Sequence, residues 1–449
     1  MTDPRIVRAA RLPAGTPDVA AAIVGAGACG LTAATFLGDA GIEAVVLERD
    51  ASPRGSTALS SGFVPAAGTK VQREAGVRDD SAAQFAADIQ AKAGGRAAPA
   101  LVAAYTEAIA PAIDALGDRH GIAFELLDGF LYPGHTGRRM HALPERTGAA
   151  LMTALEGAAS RAAAIVVTDA LVEELWRDDT DRVIGVAYRR PDGRIEHLAC
   201  RALLLACNGF GGNREMVRDL LPAMRDAVFA GHAGNDGSAI AWGRALAARL
   251  ADLSACQGHG SWAVPHGVLI TWALMMQGAV QVNADGRRFH DETRGYSEAA
   301  LAVLEQPGGI AWDVFDDRLL ALGRSFPDFR DAEQAGALRH APDAAALAAV
   351  IGCDANVLST TLAATSLRGA LHAVRVTGAL FHTQGGLDID AGCRVLRNDG
   401  SPMPNLLAAG GAARGVSGDT IDGYLSGNGL LSAVAGGFIA ARTIARELR

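Results

Sequence analysis

A glycine-rich turn follows the first strongly apolar segment of the chain. Residues 19–24 are apolar and lead directly into Gly25, Gly27 and Gly30, which are spaced as G-x-G-x-x-G. The first glycine permits a tight turn, the second lets the backbone approach a phosphate, and the third lets the following helix pack closely on the strand. Because the N–H groups at the start of that helix attract anions, the spacing predicts a site for a dinucleotide pyrophosphate.

An acidic residue lies at the expected distance beyond these glycines. Residues 31–40 have apolar side chains at helical spacing, and residues 42–47 form a second apolar run that ends at Glu48. A carboxylate at this point accepts hydrogen bonds from a ribose 2′-hydroxyl and repels a 2′-phosphate. The glycine spacing is a specific signal for a dinucleotide site because it lies within a strand-helix-strand unit. We therefore expect a dinucleotide without a 2′-phosphate.

Small and hydroxyl-bearing residues follow Glu48. Residues 55–62 read GSTALSSG, a run able to wrap around a pyrophosphate and a ribityl chain. Since FAD has a ribityl chain and NAD has none, this run favours FAD. The residues concerned are Gly55, Ser56, Thr57, Ser60, Ser61 and Gly62.

The composition argues against nucleic acid as a partner. The chain has 449 residues, of which 49% are hydrophobic, and its 49 acidic residues outnumber 41 basic ones to give a net charge of -8. Proteins that bind phosphate backbones carry an excess of clustered Lys and Arg. No apolar run has the length of a signal peptide or a membrane span. We expect a cytoplasmic protein with no nucleic-acid partner and no transmembrane segment.

The cysteines indicate neither a disulfide framework nor a zinc site. They are scattered along the chain without C-x-x-C spacing, so we expect reduced thiols and no metal. Their positions are Cys29, Cys200, Cys207, Cys256, Cys353 and Cys393.

Further segments complete the predicted order of elements. Residues 171–205 alternate as a β-meander would, and residues 202–206 form a buried strand before a second glycine-rich turn at Asn208 and Gly209. The chain closes with a strand, Gly410 and Gly411, and a long helix. We expect an N-terminal arm and a nucleotide-binding domain in two parts around an inserted module, with boundaries at residues 1–17, 18–255, 256–367 and 368–449.

Six segments resemble, in this order, the flavoprotein family of fumarate reductases, succinate dehydrogenases and 3-ketosteroid Δ1-dehydrogenases. They cover residues from about 18 to 445 and read DVAAAIVGAGACGLTAATFLGDAGIEAVVLERD, GSTALSSGF, LLLACNGFGGN, GNDGSAIAWGRAL, GALFHTQGGLDID and NLLAAGGAARGVSGDTIDGYLSGNGLLSAVAGG. The resemblance implies an α/β fold: a Rossmann-like FAD-binding domain of the glutathione-reductase-like type, split by an inserted α+β capping domain that binds substrate.

The resemblance also implies how FAD is held. Covalent members of the family carry a flavin-linking His where this chain has Ser56, so we expect FAD to be bound non-covalently. Besides the residues already named for the cofactor, the expected contacts are Ala28, Cys29, Arg49, Val172, Asp236, Leu430 and Leu431.

Tyr296 falls at the position that decides between two activities. Without gaps, the proton-shuttle Arg of the fumarate reductases aligns with Tyr296, where the 3-ketosteroid dehydrogenases have a Tyr that removes the α-proton. A two-residue gap places Arg294 there instead and makes the chain an enoate or enone reductase. A phenol has a pKa of about 10, so a Tyr base needs its anion favoured, and Arg294 and His290 are candidates for this role.

Tyr424 resembles the second dehydrogenase tyrosine, which grips the substrate carbonyl together with glycine N–H groups. Here Gly427 and Gly429 follow three and five residues later, whereas the family has two and four. Removing a proton beside a carbonyl builds an enolate, which such donors stabilise.

The substrate expected from the resemblance is a ring ketone. Fumarate is disfavoured because the family's carboxylate-clamping Arg aligns with Ile421. His382 and His259 match carboxylate-binding histidines of the reductases, Thr271 retains the Thr of their Thr-Glu pair, and Arg414 is a further anion partner.

These matches suggest a small cyclic oxo acid of the 4-oxocyclohexanecarboxylate type, with a 3-ketosteroid as the other possibility. The expected reaction is α,β-dehydrogenation, with the hydride going to the flavin. An external acceptor, which would be oxygen, a quinone or a carrier, then reoxidises it.

Overall fold

A computed structural model describes residues 4–128 and 131–449. Its strands are β1 Arg5–Arg8, β2 Asp18–Val24, β3 Ala44–Leu47, β4 Val64–Pro65, β5 Glu125–Leu126, β6 Met140–Ala142, β7 Ile165–Val167, β8 Leu171–Arg177, β9 Val183–Arg189, β10 Ile195–Leu205, β11 Val228–Phe229, β12 Leu250–Ala251, β13 Cys256–Ala263, β14 Val268–Leu269, β15 Val280–Val282, β16 Ile310–Asp316, β17 Leu338–Ala341, β18 Leu371–Thr383, β19 Gly386–Leu387, β20 Arg394–Leu396 and β21 Pro402–Ala408.

The helices of the same residues are α1 Ala28–Asp39, α2 Gly55–Ala58, α3 Lys70–Glu74, α4 Ala82–Lys92, α5 Pro99–His120, α6 Gly148–Arg161, α7 Arg214–Leu220, α8 Ser238–Ala245, α9 Ala273–Met276, α10 Tyr296–Leu304, α11 Asp317–Gly323, α12 Pro327–Gln334, α13 Ala344–Ile351, α14 Ala355–Ala363 and α15 Asn428–Glu447.

The larger sheet carries the dinucleotide-binding unit predicted from the glycine spacing. Its strands run in the order β1-β8-β9-β10-β2-β3-β7, with β21 on β10 and β20 on β21. Strands β21, β10, β2, β3 and β7 are parallel, and Leu203 of β10 lies between Ala22 and Leu406. Strand β2 is buried after its first residue, as expected of a parallel strand covered on both faces. The α/β fold with a Rossmann-like unit is confirmed.

The second sheet is formed mainly by the inserted region. Strand β18 lies at its centre, between β13 and β16, and also pairs with β11 and β17. Helices α9 to α14 pack around this sheet over a separate apolar core that contains Trp272, Phe315 and Phe329. The predicted boundary at residue 367 precedes β18, but pairing places β18 with the cap strands, and the chain rejoins the larger sheet at β20 and β21.

The N-terminal segment differs from the loose arm expected for residues 1–17. Strand β1 pairs in parallel with β8 at the edge of the larger sheet, with Arg5 opposite Glu174. The segment reads as polar because an edge strand keeps much of its surface in water.

Helices α5 and α15 meet the length and composition of membrane-crossing helices, a criterion that core helices also meet. Much of each apolar window is buried inside the protein, 56% for α5 and 78% for α15. The cytoplasmic location stays a prediction.

Candidate functional site

The glycines before α1 form the turn that the sequence predicts. Gly25 has φ +102°, a conformation that favours glycine, and a Cβ on Gly30 would lie 1.9 Å from the Gly25 carbonyl oxygen. A Cβ on Gly27, by contrast, would meet nothing closer than Thr57 Oγ1 at 3.6 Å. The space above Gly27 is therefore open for a phosphate, at the N-terminus of α1.

Glu48 lies at the end of β3 and is 8% exposed. Its Oε2 accepts the N–H of Ala26 at 2.8 Å, and its Oε1 accepts the N–H of Asp50 at 3.0 Å. Each carboxylate oxygen keeps a further acceptor site, and Glu48 lines the cleft beside Val172. This arrangement fits a ribose hydroxyl donor.

A continuous groove runs from Glu48 to the cap. Its two halves share Ser56, Thr57, Asn208, Gly410, Gly411 and Ala433. Two buried polar atoms along it, Trp242 Nε1 and Ser432 Oγ, have no hydrogen-bond partner among the described residues. A long groove with an open phosphate position, a ribose acceptor and unpaired donors fits an extended dinucleotide such as FAD.

Most of the predicted cofactor residues line this groove. They are Gly25, Gly27, Ala28, Cys29, Glu48, Arg49, Gly55, Ser56, Thr57, Ser60, Ser61, Gly62, Val172, Asn208, Asp236, Gly410, Gly411 and Leu430. Three predicted residues lie behind its wall: Gly30 in the helix-strand contact, Gly209 against Thr383, and Leu431 in the apolar core.

Sequence reasoning missed two residues that shape this groove. Asn235 is 4% exposed, and its Nδ2 donates to Ser56 Oγ at 2.8 Å. Ser432 follows Leu431 in α15 and lines the cap half of the groove. Asn235 directly precedes Asp236 in the G-N-D-G segment, so its position in that motif was the available signal.

The two predicted tyrosines meet in the cap half of the groove. Tyr296 begins α10 and Tyr424 precedes α15, and their ring centroids lie 6.1 Å apart. Ser426 Oγ donates to Tyr296 Oη at 2.7 Å, and the N–H of Gly429 donates to Tyr424 Oη at 3.4 Å. Gly427 lies in the same wall as the helix N-cap, with φ +87°.

Burial governs the acidity of both phenols. Desolvation raises the pKa of Tyr424 to about 12, although N–H donors and Tyr296 oppose the shift. Desolvation raises the pKa of Tyr296 well above its ordinary value, with Tyr424 adding to the rise and the Ser426 hydrogen bond opposing it. Tyr296 is therefore protonated at neutral pH.

The basic side chains expected beside Tyr296 interact with other residues instead. Arg294 has a 64% exposed side chain that faces Asp422 at 3.8 Å, and it is absent from the described lining of the groove. His290 Nε2 lies 2.7 Å from Gln281 Oε1 inside the cap. Ser426, which the sequence analysis did not identify, is thus the hydrogen-bond partner observed at Tyr296 Oη.

His382 lies beside Tyr424 and is fixed by a glutamine. Gln384 Oε1 accepts the Ser417 hydroxyl at 2.8 Å, so its Nε2 faces His382 Nδ1 at 2.9 Å. Nδ1 also lies 3.3 Å from the Thr383 carbonyl oxygen, but the shorter contact with the Gln384 amide favours the tautomer that carries the proton on Nε2. Nε2 faces Gly429 so closely that a Cβ there would lie 2.6 Å away. Desolvation lowers the pKa of His382 to about 4, so the ring is neutral at neutral pH.

His259 is stacked against Tyr296 and Phe381 in the lining of the groove. Its ring is nearly parallel to those of Tyr296 and Phe381, with centroids 4.9 and 5.5 Å away. Its Nδ1 accepts the N–H of Ser261, and desolvation lowers its pKa to about 3. Thr271 also belongs to this lining.

Arg414, expected to bind an anion of the substrate, lies outside the described lining of the groove, whereas Tyr132 belongs to it. Arg414 pairs with Asp252 through Nε at 2.6 Å and approaches Asp388, and it does not belong to the described lining. Tyr132, which sequence reasoning did not single out, lines the groove with its ring centroid 6.4 Å from that of Tyr296. No cluster of His, Cys, Asp and Glu suited to a metal occurs in the part of the chain that the structure describes.

Comparison with known proteins supports this interpretation of the groove. The chain is 27% identical over 452 residues to NADH:fumarate oxidoreductase of Klebsiella pneumoniae (strain 342), covering 95% of this chain but 48% of that protein. It is 25% identical to 4-oxocyclohexanecarboxylate 2-dehydrogenase of Sinomonas cyclohexanicum, covering 97% and 94% of the two chains.

A solved structure shares the fold across the whole chain. The 3-ketosteroid-delta4-(5alpha)-dehydrogenase from Rhodococcus jostii RHA1 superposes with a TM-score of 0.78 and 23% identity, covering 98% of this chain and 99% of that one. The family model described as FAD binding domain matches residues 20–429. The chain therefore belongs to the FAD binding domain family, and it is an FAD-dependent oxidoreductase.

Proposed function

We propose that this chain dehydrogenates a ring ketone between the carbons α and β to the carbonyl. The observation that carries the proposal is the pair of tyrosines in one wall of the groove, Tyr296 bonded to Ser426 and Tyr424 bonded to the N–H of Gly429. A proton acceptor beside a carbonyl-binding hydroxyl suits removal of an α-proton. Similarity to the 4-oxocyclohexanecarboxylate dehydrogenase supports the same chemistry.

Tyr424 is the proposed donor to the ketone oxygen. Because its Oη already accepts the N–H of Gly429, its own proton is directed away from that bond and is free for the substrate. The Nε2–H of His382, on the same side, is a second donor. Two preorganised donors stabilise the negative charge that develops on the oxygen as the α-proton leaves.

Tyr296 is the proposed base. Its phenolate takes the α-proton, and the hydroxyl of Ser426 stabilises that anion by donating to Oη. Bound FAD supplies the electron acceptor, which takes the hydride that leaves the β-carbon. The groove residues named above would hold it, without a covalent link at Ser56.

The alternative function is reduction of an enone or enoate with Arg294 as the proton donor. Similarity to the NADH:fumarate oxidoreductase favours a reductase. The exposed position of Arg294, beside Asp422, argues against Arg294 as its acid. In that direction protonated Tyr296 is the donor that faces the groove.

The substrate classes expected from the sequence are a small cyclic oxo acid and a 3-ketosteroid. The 4-oxocyclohexanecarboxylate relative supports the oxo acid, and the aromatic wall of the groove supports a larger apolar ring system. Oxygen, a quinone or a carrier is the proposed electron acceptor. The proposed domain boundaries are those of the sequence analysis, with β18 grouped with the cap.

Product analysis tests the proposal. Purified FAD-loaded protein is incubated with a saturated ring ketone and a dye acceptor, and the products are separated by mass. We expect a ketone two hydrogen atoms lighter, with the double bond beside the carbonyl. If the only conversion observed is that of an unsaturated acid or enone to its saturated form, with a chemical reductant present, the chain is a reductase.

A further inference from the structure

The groove around the tyrosine pair carries an unusual distribution of charge. Among the described residues that line it, Asp328 is the one with a formal charge, and no Lys or Arg accompanies it. His259 and His382 are neutral at neutral pH because burial lowers the pKa of each. A substrate carboxylate would therefore meet no positive side chain in this lining.

Asp328 itself has no compensating partner in the described part of the chain. It lies in the first turn of α12, half-buried, and makes neither an ion pair nor a hydrogen bond there. Desolvation raises the pKa of this carboxyl, and Asp331 on the same helix raises it further. An unpaired carboxyl group in a cleft accepts hydrogen bonds and repels anions.

Basic side chains elsewhere in the cap and its neighbours are already engaged. Arg324 pairs with Glu333, and Arg330 donates to the Arg324 carbonyl. Lys92 pairs with Glu298. None of these cations belongs to the described lining, so none offsets Asp328 within it.

Asp328 enters the groove from α12, which packs on β14, whereas Tyr424 precedes α15 and Gly429 lies in its first turn. Tyr132 belongs to the same lining; burial raises its pKa, and the charge of Asp328 raises it further. From Tyr132 the rings continue to Tyr296 and then to Tyr424, each pair with centroids 6.4 or 6.1 Å apart. A ring ketone with its oxygen at Tyr424 would direct its far end toward Asp328.

The lining of the groove also contains several large apolar side chains. They are Phe63, Met140, Leu269, Trp272, Phe326 and Phe381. Such a surface suits the carbon body of a ring system and offers no donor that would neutralise a carboxylate.

We infer that the substrate is a ring ketone without a carboxylate, whose end remote from the ketone presents an O–H or N–H donor to Asp328. This inference rests on the proposed function and selects, among its ring ketones, against the small oxo acid. The shared recognition chemistry is a hydroxyl or a protonated amine. For an oxo acid, repulsion by Asp328 weakens binding by about tenfold or more relative to its neutral analogue.

A matched series of ligands tests this inference. The probes are 4-oxocyclohexanecarboxylate, its methyl ester, and the analogues in which the carboxylate is replaced by hydroxymethyl or by dimethylaminomethyl. Dissociation constants are measured from the change in the visible flavin spectrum of FAD-loaded protein, throughout in the Tyr296→Phe background, which is expected to bind these ketones without converting them. We expect the hydroxymethyl and amine probes to bind most tightly, the ester next and the acid weakest. Whichever of the hydroxymethyl and amine probes has the lower dissociation constant identifies the donor group that Asp328 prefers.

Variants on α12 identify the responsible side chain. Asp328→Asn should remove most of the amine advantage, and Asp328→Arg should make the acid the tightest ligand. Asp331→Asn is the matched control, because Asp331 lies on the same helix, is exposed and is absent from the described lining. Its order of affinities should match that of the protein with Asp328 and Asp331 intact. FAD content confirms that each variant is folded.

Several outcomes overturn the inference. They are tightest binding of the acid by the protein with Asp328 intact, an order unaffected by Asp328→Arg, and no spectral change with any probe. Failure of the proposed function is distinguishable: the ligands then bind in the expected order, but no saturated ketone causes loss of flavin absorbance in the protein that retains Tyr296.

Discussion

Ser426 Oγ lies 2.7 Å from Tyr296 Oη and donates a hydrogen bond to it across 130 residues of sequence. This contact joins the cap, which contributes Tyr296 at the start of α10, to the turn before α15 in the FAD-binding part. It opposes the effect of burial on the pKa of Tyr296. The cap and the turn before α15 are therefore joined at the proposed base through one hydroxyl.

Replacing Tyr296 by Phe should abolish dehydrogenation while FAD remains bound. The ring and its stacking with His259 are retained, but the proton acceptor is lost, so we expect kcat to fall by about 1,000-fold or more. Tyr188→Phe, in the β-meander and absent from the described lining of the groove, is the control. Unchanged turnover in Tyr296→Phe would remove the assigned role.

The rate of dehydrogenation should increase with pH. Since burial raises the pKa of Tyr296, the base is mostly protonated at neutral pH, and the active phenolate fraction grows as pH rises toward that pKa. We expect log kcat/KM to rise with a slope of about 1 between neutral and alkaline pH. A flat profile, or one that falls with pH, would contradict Tyr296 as the base in this direction.

Replacing Ser426 by Ala should shift this pH profile to higher pH. Loss of the donor to Tyr296 Oη destabilises the phenolate, and a hydrogen bond to a charged group contributes about 1.5–3 kcal/mol. We expect kcat at neutral pH to fall by about tenfold or more and to recover partly at alkaline pH. Ser426→Thr, which retains a hydroxyl, should restore most of the rate. A uniform loss at every pH would indicate a structural role only.

Replacing His382 by Ala should affect acidic and neutral ketones equally. The ring is neutral, and its Nε2–H lies on the ketone-binding side, so kcat/KM for an oxo acid and for its ester should fall by the same factor, about tenfold. A loss confined to the acid would instead make His382 a carboxylate-binding residue.

FAD should be released intact when the protein is denatured. Ser56 Oγ accepts Asn235 Nδ2 at 2.8 Å, and a serine at this position offers no nitrogen for a flavin link. Acid precipitation followed by chromatography of the supernatant should recover free FAD. Yellow colour retained in the washed pellet would show a covalent bond.

The sequence predicts the cofactor end of the groove well because its signals are local. Gly25, Gly27 and Glu48 lie within one strand-helix-strand unit, so their spacing alone places them together. The long helix expected near the end of the chain occurs as α15, Asn428–Glu447. Strand β1 was missed because an exposed edge strand lacks the apolar pattern of a buried one.

At the cap half of the groove, residues could be predicted only where the family resemblance identified them. Tyr296 and Tyr424 were singled out in that way, but their partners Ser426 and Gln384 were not, because hydrogen bonds between distant elements leave no spacing in the sequence. Arg414 illustrates the converse: it was expected to bind an anion of the substrate, and its guanidinium is engaged by Asp252. Asp328 was not identified, since a helix-starting acidic residue is common in sequences.

The most direct test of the account is anaerobic mixing of FAD-loaded protein with a saturated ring ketone while the visible flavin absorbance is recorded. We expect rapid loss of that absorbance, and no loss in Tyr296→Phe with the same ketone. The contradictory result is an absorbance that no saturated ketone changes, while dithionite-bleached protein regains its colour on addition of an unsaturated acid. In that case the chain is a reductase.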